Sequence, residues 1–371
     1  MQVAADCLYF KGDVPCTFHK QLGSKCRCTN FRARGRRILI IKLGAIGDVI
    51  RTTPLLRRLK ADEPNCHVTW LTLTPEVLPN VVDHALAFSA QNLAYLQATE
   101  FDALFNLDKD REACAVAKLV SAPLKRGFTL KDGHCVPLDE LAQHKFLTGI
   151  DDDLNRTNVL SYPREIFDMV GLSYESERYL YDAPVPFSDF PAMPGPVVGL
   201  NTGCGARWPT RLWEIERWVE LAVALREFGY GVLLLGGKDE DERNKRIADA
   251  ARAVYLGYHS IPRFASLISH CDLVVTGVTM AMHMVIGLEK KIVLMNNIFN
   301  RHEFELYGLG EIVEPTQPCS CYFKGTCVSA SHCMKSMTVQ TVLDAVLRNL
   351  PAAALRVPRP DVAVMGQSLT L

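Results

Sequence analysis

No stretch of this sequence approaches the ~18 consecutive apolar residues that a membrane helix needs, and the opening MQVAADCLYF lacks the basic flank and apolar run of a signal peptide. Neither sign of charge is in excess, since Lys plus Arg and Asp plus Glu both number 41. No basic surplus advertises nucleic acid and no acidic surplus advertises disorder, so partners must be read from individual sites. The expectation is a cytoplasmic protein with no nucleic-acid partner. With 371 residues the chain is long enough for two ordinary cores.

Strict C-x-x-C pairs are missing, although cysteine is plentiful: there are 13, an odd count in a chain far longer than a disulfide scaffold. Cys7, Cys16, Cys26 and Cys28 gather at one end and Cys319, Cys321, Cys327 and Cys333 at the other, with Cys204 in a glycine-rich loop between. In a reducing compartment such clustering favours metal ligation over disulfides. Four thiolates suit a tetrahedral zinc or iron site. His19, at C-x-x-H from Cys16, is an alternate ligand. The runs Cys7-Leu8-Tyr9-Phe10-Lys11-Gly12 and Cys321-Tyr322-Phe323-Lys324-Gly325 echo one another. Each cluster binding its own metal is favoured slightly over one shared site, and both over free thiols. A structural role is favoured over a catalytic one. Cys66, Cys114, Cys135 and Cys271 stand singly and read as small buried residues.

The stretch "ILIIKLGAIGDVIRTTPLLRRLK" is a continuous apolar run, then glycines, then apolar residues at helical spacing. Such a run reads as a strand buried on both faces of a parallel sheet. "HVTWLTL" and "FDALFNLD" repeat the pattern. From Asp132 to Asp182 it loosens into helices and loops of an insertion or an acceptor-side surface. Five prolines between Asp182 and Pro196 then forbid regular structure and predict a linker. The strand and helix alternation restarts with "VVGLNTG", a helix over 210–229, "GVLLLGG", a helix over 239–252, a short helix "RFASLISHC", "DLVVTGV" and "KKIVLMNN". "TVQTVLDAVLRNLP" predicts a last helix, and a loose tail follows Pro351. Two Rossmann-like halves so joined leave a cleft between the carboxyl ends of two sheets.

Three strand-to-helix junctions face that cleft. In "KLGAIGD", Lys42 to Asp48, Gly44 and Gly47 allow close backbone approach, but G-x-x-G is not the G-x-G-x-x-G dinucleotide fingerprint, which disfavours a dehydrogenase. Asp48 reads equally as a helix cap and as a general base aimed at an acceptor hydroxyl. In "NTGCGARWPTRLW", Thr202, Gly203 and Arg207 can hold a diphosphate, or Arg207 and Arg211 are surface cations. Glu240 or Glu242 can accept ribose hydroxyls, although most acids there read as a solvated helix start. "VTGVTMAMHMVIGL" sets Thr279, the amides of Met280, Ala281 and Met282, and His283 at the third junction.

These motifs, "ILIIKLGAIGDVIRTTPLLRRLK", "GARWPTRLW", "LLLGGKDEDERNKRIAD" and "TMAMHMVIGL", in this order and spacing, resemble the heptosyltransferase-like glycosyltransferases of family 9 over roughly Arg37 to Val346. The resemblance implies an α/β protein of the GT-B fold, two Rossmann-like domains facing a central cleft, here with a cysteine-rich amino-terminal extension. It divides the chain into an extension 1–34, an acceptor domain 35–190, a donor domain 191–337 with the second cysteine cluster, and a helix and tail 338–371. It implies inverting transfer of a heptose from ADP-heptose without a catalytic metal, to a glycan, lipid-linked or protein acceptor such as lipopolysaccharide core.

By position, Asp48 matches the family's general base and Lys42 its basic residue after the first strand. Arg207 falls at the phosphate-binding basic position, Glu240 or Glu242 at the ribose-binding acid, and Thr279 and His283 in the motif flanking the diphosphate. Val278 stands where many members carry aspartate, which puts the sugar specificity in question. Some protein-modifying members carry a cysteine-bound iron near the carboxyl end, which the second cluster resembles loosely, and a GT-B chain that returns its last helix to the first domain would let the clusters meet. The resemblance leaves open a peripheral place at the inner membrane surface and an oligomer. The alternative from another class is a metal-stabilised scaffold or binding protein with a vestigial transferase fold.

Overall fold

A computed structural model of the chain describes residues 3–205, 208–317, 319, 321–327 and 332–351. Twelve strands among them form two sheets. The first holds β1 (Arg37–Ile41), β2 (His67–Thr72), β3 (His84–Ala87), β4 (Ala103–Asn106), β5 (Leu124–Lys131) and β6 (His134–Pro137), in the order β3-β2-β1-β4-β5-β6. The second holds β7 (Val197–Asn201), β8 (Gly231–Leu235), β9 (Val254–Tyr255), β10 (Leu273–Gly277), β11 (Lys291–Met295) and β12 (Gly310–Val313), in the order β12-β11-β10-β7-β8-β9.

Around the first sheet lie α1 (Thr17–Leu22), α2 (Ile46–Ile50), α3 (Pro54–Asp62), α4 (Ala90–Gln97), α5 (Arg111–Leu119), α6 (Gln143–Leu147), α7 (Asp152–Thr157) and α8 (Tyr162–Val170). The second carries α9 (Ile215–Glu227), α10 (Asp241–Ala251), α11 (Ile261–Ser269), α12 (Met280–Gly287) and α13 (Val339–Asn349). The α/β class with two Rossmann-like halves is as the sequence led us to expect.

The cause is visible in β1, whose Ile38 to Ile41 are at most 1% exposed because helices cover both faces of the sheet. All strand pairs are parallel except β5 and β6. That antiparallel pair falls partly within 132–182, where helices and loops were expected, and its short HCVP strand gives little pattern to read. The helix expected from 210 begins only at Ile215, because Pro209 to Arg211 form a separate short turn. It buries Trp218, Leu221, Ala222 and Leu225 on one face.

In each sheet the chain winds outward to one side and then crosses back to the other. The reversal lies between β1 and β4 in the first sheet and between β7 and β10 in the second, and ligands of open α/β sheets bind beyond the strand ends at such points. Residues 172–196 contain no helix or strand. Within this connection the Phe190 ring stacks on His270, with centroids 4.0 Å apart, and the Ser266 hydroxyl donates to Val185. The two halves also touch directly. Asn300 of the second half donates to the carbonyls of Asn155 and Asn158 of the first at 2.7 and 2.6 Å, and the Thr53 hydroxyl anchors the connection by accepting from the Leu180 amide at 2.9 Å. No described helix is long and apolar enough to cross a membrane.

The cysteine clusters do not assemble as expected. The last helix packs on α9, β11 and β12 of its own half, which keeps Cys333 in that core and away from the amino terminus. Cys7 sits in a backbone bridge to Ala33, Cys26 is exposed, and His19 Nδ1 is engaged with the Ser24 carbonyl at 2.9 Å. The amide of Cys321 donates to the Cys319 sulfur at 3.3 Å, and Asn297 donates to the Cys333 sulfur at 3.5 Å. Among the described residues no three His, Cys, Asp or Glu side chains converge as metal ligands would. Within the second cluster, however, the Cys319 thiol lies against that of Cys333 and beside Cys321.

Candidate active site

A cleft of about 1140 Å³ opens between the carboxyl ends of the two sheets. Its first wall is built at the reversal between β1 and β4. The chain leaves β1 at Ile41, places the Lys42 side chain inward, and turns through Gly44 and Gly47 into α2, which carries Asp48 and is followed at once by Arg51. From the end of β4 comes Asp108, whose carboxylate accepts from the Leu43 amide at 2.9 Å and lies 3.2 Å from Lys42 Nζ. These amides and the ammonium fix a buried carboxylate that would otherwise be costly.

Asp48 lies in the middle of these charges. Its carboxylate is 2.8 Å from the Arg51 guanidinium and 3.9 Å from Lys42 Nζ, and its side chain remains 32% exposed toward the cleft. Burial pushes the Asp48 carboxyl up, but Arg51 and Lys42 outweigh burial and hold it at about 2, ionised at neutral pH. Arg51 is itself clamped. Its guanidinium lies 3.4 Å from the centroid of the Tyr162 ring, and its other nitrogen meets Glu303 of the second half at 3.1 Å. Lys145 also faces Tyr162 and pairs with buried Glu165 at 2.6 Å.

The second wall forms at the reversal between β7 and β10. Asn201, the last residue of β7, donates to the Thr276 hydroxyl at 2.9 Å and to Thr279 at 3.2 Å, tying two strand ends together. Thr279, Met280, Ala281 and His283 line the cleft, and so do Gly203 and Glu240. Gly203 and Glu240 approach closely, so that a Cβ at Gly203 would displace the Glu240 carboxylate, which it would meet at 2.2 Å. Glu240 accepts from the Gly237 amide at 2.9 Å.

His283 is buried, with its ring stacked on Tyr179 at a centroid separation of 6.1 Å. Burial, then the nearby Arg51, pushes its imidazole down to about 3, so it is neutral at physiological pH. Its other face lies against Gly47 of the first half.

Not every predicted position reaches the cleft. Thr202 is 2% exposed and its hydroxyl donates to Asn244, while Met282 is fully buried. The Glu242 side chain is 86% exposed and pairs with Lys245, so of the two candidate ribose acids only Glu240 lies at the wall. Arg207 lies outside the described residues. Arg211, weighed beforehand as a surface cation, is instead in the cleft wall: its guanidinium donates to the carbonyls of Val278 and Cys204 and lies over Phe299. Burial pushes it down to about 10. Among the described residues no carboxylate pairs with it.

Asp108, Arg51, Tyr162 and Glu303 were not anticipated. The signal for Asp108 was the acid directly after "FNL", at the same level of the sheet as Lys42, since Ile41 and Asn106 are partners in the β1 and β4 register.

The cleft thus sets an ionised carboxylate on its first wall and, on its second, a cation that no carboxylate among the described residues pairs with. A family model, "Glycosyltransferase family 9 (heptosyltransferase)", matches residues 93–295, more than half of the sequence. The chain belongs to glycosyltransferase family 9. It is a glycosyltransferase of the GT-B fold.

Among solved structures it is similar to a family 9 glycosyl transferase from Veillonella parvula (17% identity, 85% of this chain and 97% of that one, TM-score 0.64). It is also similar to E. coli heptosyltransferase WaaC with ADP (16%, 84% and 97%, TM-score 0.57). A third is the iron-containing dodecameric glycosyltransferase TibC from enterotoxigenic E. coli (12%, 85% and 76%, TM-score 0.55). No curated protein matches in sequence. The family match covers the second wall from Asn201 to His283 and, in the first, Asp108, Lys145 and Tyr162; it starts beyond Lys42 to Arg51.

Proposed function

We propose that this family 9 enzyme transfers a heptose from ADP-heptose to an acceptor hydroxyl with inversion, Asp48 acting as general base. Residues 35–190 hold the acceptor and residues 191–337 the donor. The observation that carries the reading is the presence of two groups in one cleft: the ionised Asp48 carboxylate and the half-buried Arg211 guanidinium, whose hydrogen bonds among the described residues go to carbonyls.

The acceptor oxygen attacks the anomeric carbon while the bond from that carbon to the diphosphate oxygen breaks. The hydroxyl proton passes to Asp48, and ADP departs with the electron pair. Arg211 and the amides at the start of α12 stabilise the charge growing on the diphosphate, and Glu240 accepts the ribose hydroxyls. Structures of WaaC with ADP and with ADP-2-deoxy-2-fluoro heptose support this donor class by fold likeness. A cytoplasmic site and an acceptor in lipopolysaccharide assembly belong to the same proposal.

Incubation with ADP-heptose and lipopolysaccharide-core, protein and small-glycoside acceptors tests it. Product formation by the native chain and its loss in Asp48→Ala are expected. Equal transfer by both would remove Asp48 as base, and no turnover of ADP-heptose would remove the donor.

A further inference from the structure

Five side chains form one line of alternating sign along the floor of the cleft: Asp108, Lys42, Asp48, Arg51 and Glu303, with successive separations of 3.2, 3.9, 2.8 and 3.1 Å. Three carboxylates share two cations, so the line carries one negative charge. A proton delivered to Asp48 makes it neutral. Four members come from the first half, and Glu303 arrives from the second, 252 residues after Arg51 in the chain. Of the other titratable groups near Asp48 and Arg51, His283 is held neutral by burial and burial raises the phenols of Tyr162 and Tyr179, while Asp110 adds a further carboxylate on the Asp108 side, away from Glu303 in sequence. Lys145 is spent on Glu165.

Resting on the reading of Asp48 as base, we propose that Glu303 is a positioning residue that draws part of the Arg51 charge away from Asp48, so that the base has its working strength only when the second domain has closed onto the first. An Arg51 left to Asp48 alone would stabilise the ionised carboxylate further and make it a poorer proton acceptor. Glu303 at 3.1 Å competes for the same guanidinium. Opening of the cleft withdraws that competitor, which ties the strength of the base to closure.

Glu303→Gln removes the charge but keeps an amide oxygen that can still accept from Arg51. With ADP-heptose as probe and ADP release as readout, the variant is expected to lose roughly three- to tenfold in kcat while its donor KM stays within about twofold, following Brønsted behaviour. Adding Glu303→Gln to Asp48→Asn should cost no further rate, because Glu303 acts through Asp48. Small-angle scattering in the presence of ADP should show the same compaction as the native chain, and Glu303→Asp should recover most of the rate.

A raised donor KM with unchanged kcat would make Glu303 a latch only and overturn the proposal. Unchanged kcat in Glu303→Gln, with Asp48→Asn inactive, would overturn it while leaving the base in place. Asp48→Asn as active as the native chain, or a native chain that turns over no ADP-heptose, would remove the base reading and this proposal together.

Discussion

The His283 ring lies so close to Gly47 that a methyl group at Gly47 would come within 2.4 Å of its Cδ2 atom. The contact joins α2 of the first half to α12 of the second, at the floor of the cleft. The Tyr179 ring also stacks on the imidazole, with centroids 6.1 Å apart.

Gly47→Ala is therefore expected to destabilise the protein by about 1–3 kcal/mol, the usual cost of overpacking a filled site. Thermal unfolding measures it. Because the clash is with one ring, His283→Ala in the same chain should return part of the loss, and a double-mutant cycle with no coupling would show that the ring is not the obstacle.

The imidazole of His283 is neutral when folded, held at about 3 against an ordinary 6.5. The unfolded chain thus binds a proton that the folded chain refuses between those values, and stability falls as pH drops below 6.5. Between pH 6.5 and 5 the loss from this group is about 2 kcal/mol at ~1.4 kcal/mol per unit. Asp48, held at about 2, loses its contribution only at still lower pH, as pH falls through the ordinary carboxylate range toward that value. Denaturant titrations of the native chain and His283→Met at both pH values isolate the histidine. Parallel losses in the two would mean that His283 protonates while folded.

Asp48→Asn is expected to lower kcat by about 10²- to 10⁴-fold, the span typical of a lost general base, with donor binding unchanged. ADP binding by calorimetry serves as the control, because the donor wall contains no atom of Asp48. A variant that keeps native kcat would assign Asp48 to the helix start instead.

Arg211→Ala should weaken ADP binding by about tenfold or more, since a guanidinium bound to phosphate forms charge-assisted hydrogen bonds worth ~1.5–3 kcal/mol. The Arg211 side chain is half-buried and already held by two carbonyls, so little ordering is needed when the anion arrives. Unaltered affinity would exclude Arg211 as the diphosphate partner.

The strand and glycine junctions were legible in the sequence because their causes are local. The run Ile38 to Ile41 is apolar on both sides, and Gly44 and Gly47 mark the turn beyond it. His283 and Thr279 followed in the same way from the junction after β10. The charges around Asp48 were not legible, because sheet neighbours and domain contacts bring them together. Asp108 reaches Lys42 through the pairing of β1 with β4, and Glu303 reaches Arg51 across the cleft. The place of Arg211 was open for a related reason: spacing reports that a cation follows a turn, whereas its position over the Phe299 ring is decided by the fold.

The cysteines show the same limit from the other side. Spacing suggested ligands, but a thiol that packs or hydrogen-bonds and one that binds a metal leave the same letters in the sequence. Cys333 lies with Val313, Met334 and Met337 in the core. In the repeated aromatic-aromatic-Lys-Gly run, the second copy places Phe323 in the cleft wall and Tyr322 against Asn155.

That last placement bears on how the chain can be cut. Phe323 packs edge-on against Trp208 and Phe299, the Lys324 carbonyl receives the Thr210 hydroxyl, and Tyr322 hydrogen-bonds to Asn155 and carries Arg156 over its ring. A donor half prepared without the first half would bare Tyr322. One shortened before Cys319 would bare Trp208 and Phe299 as well. Neither piece is a faithful stand-in for the enzyme, and minimal fragments should keep residues 35–350 in one polypeptide.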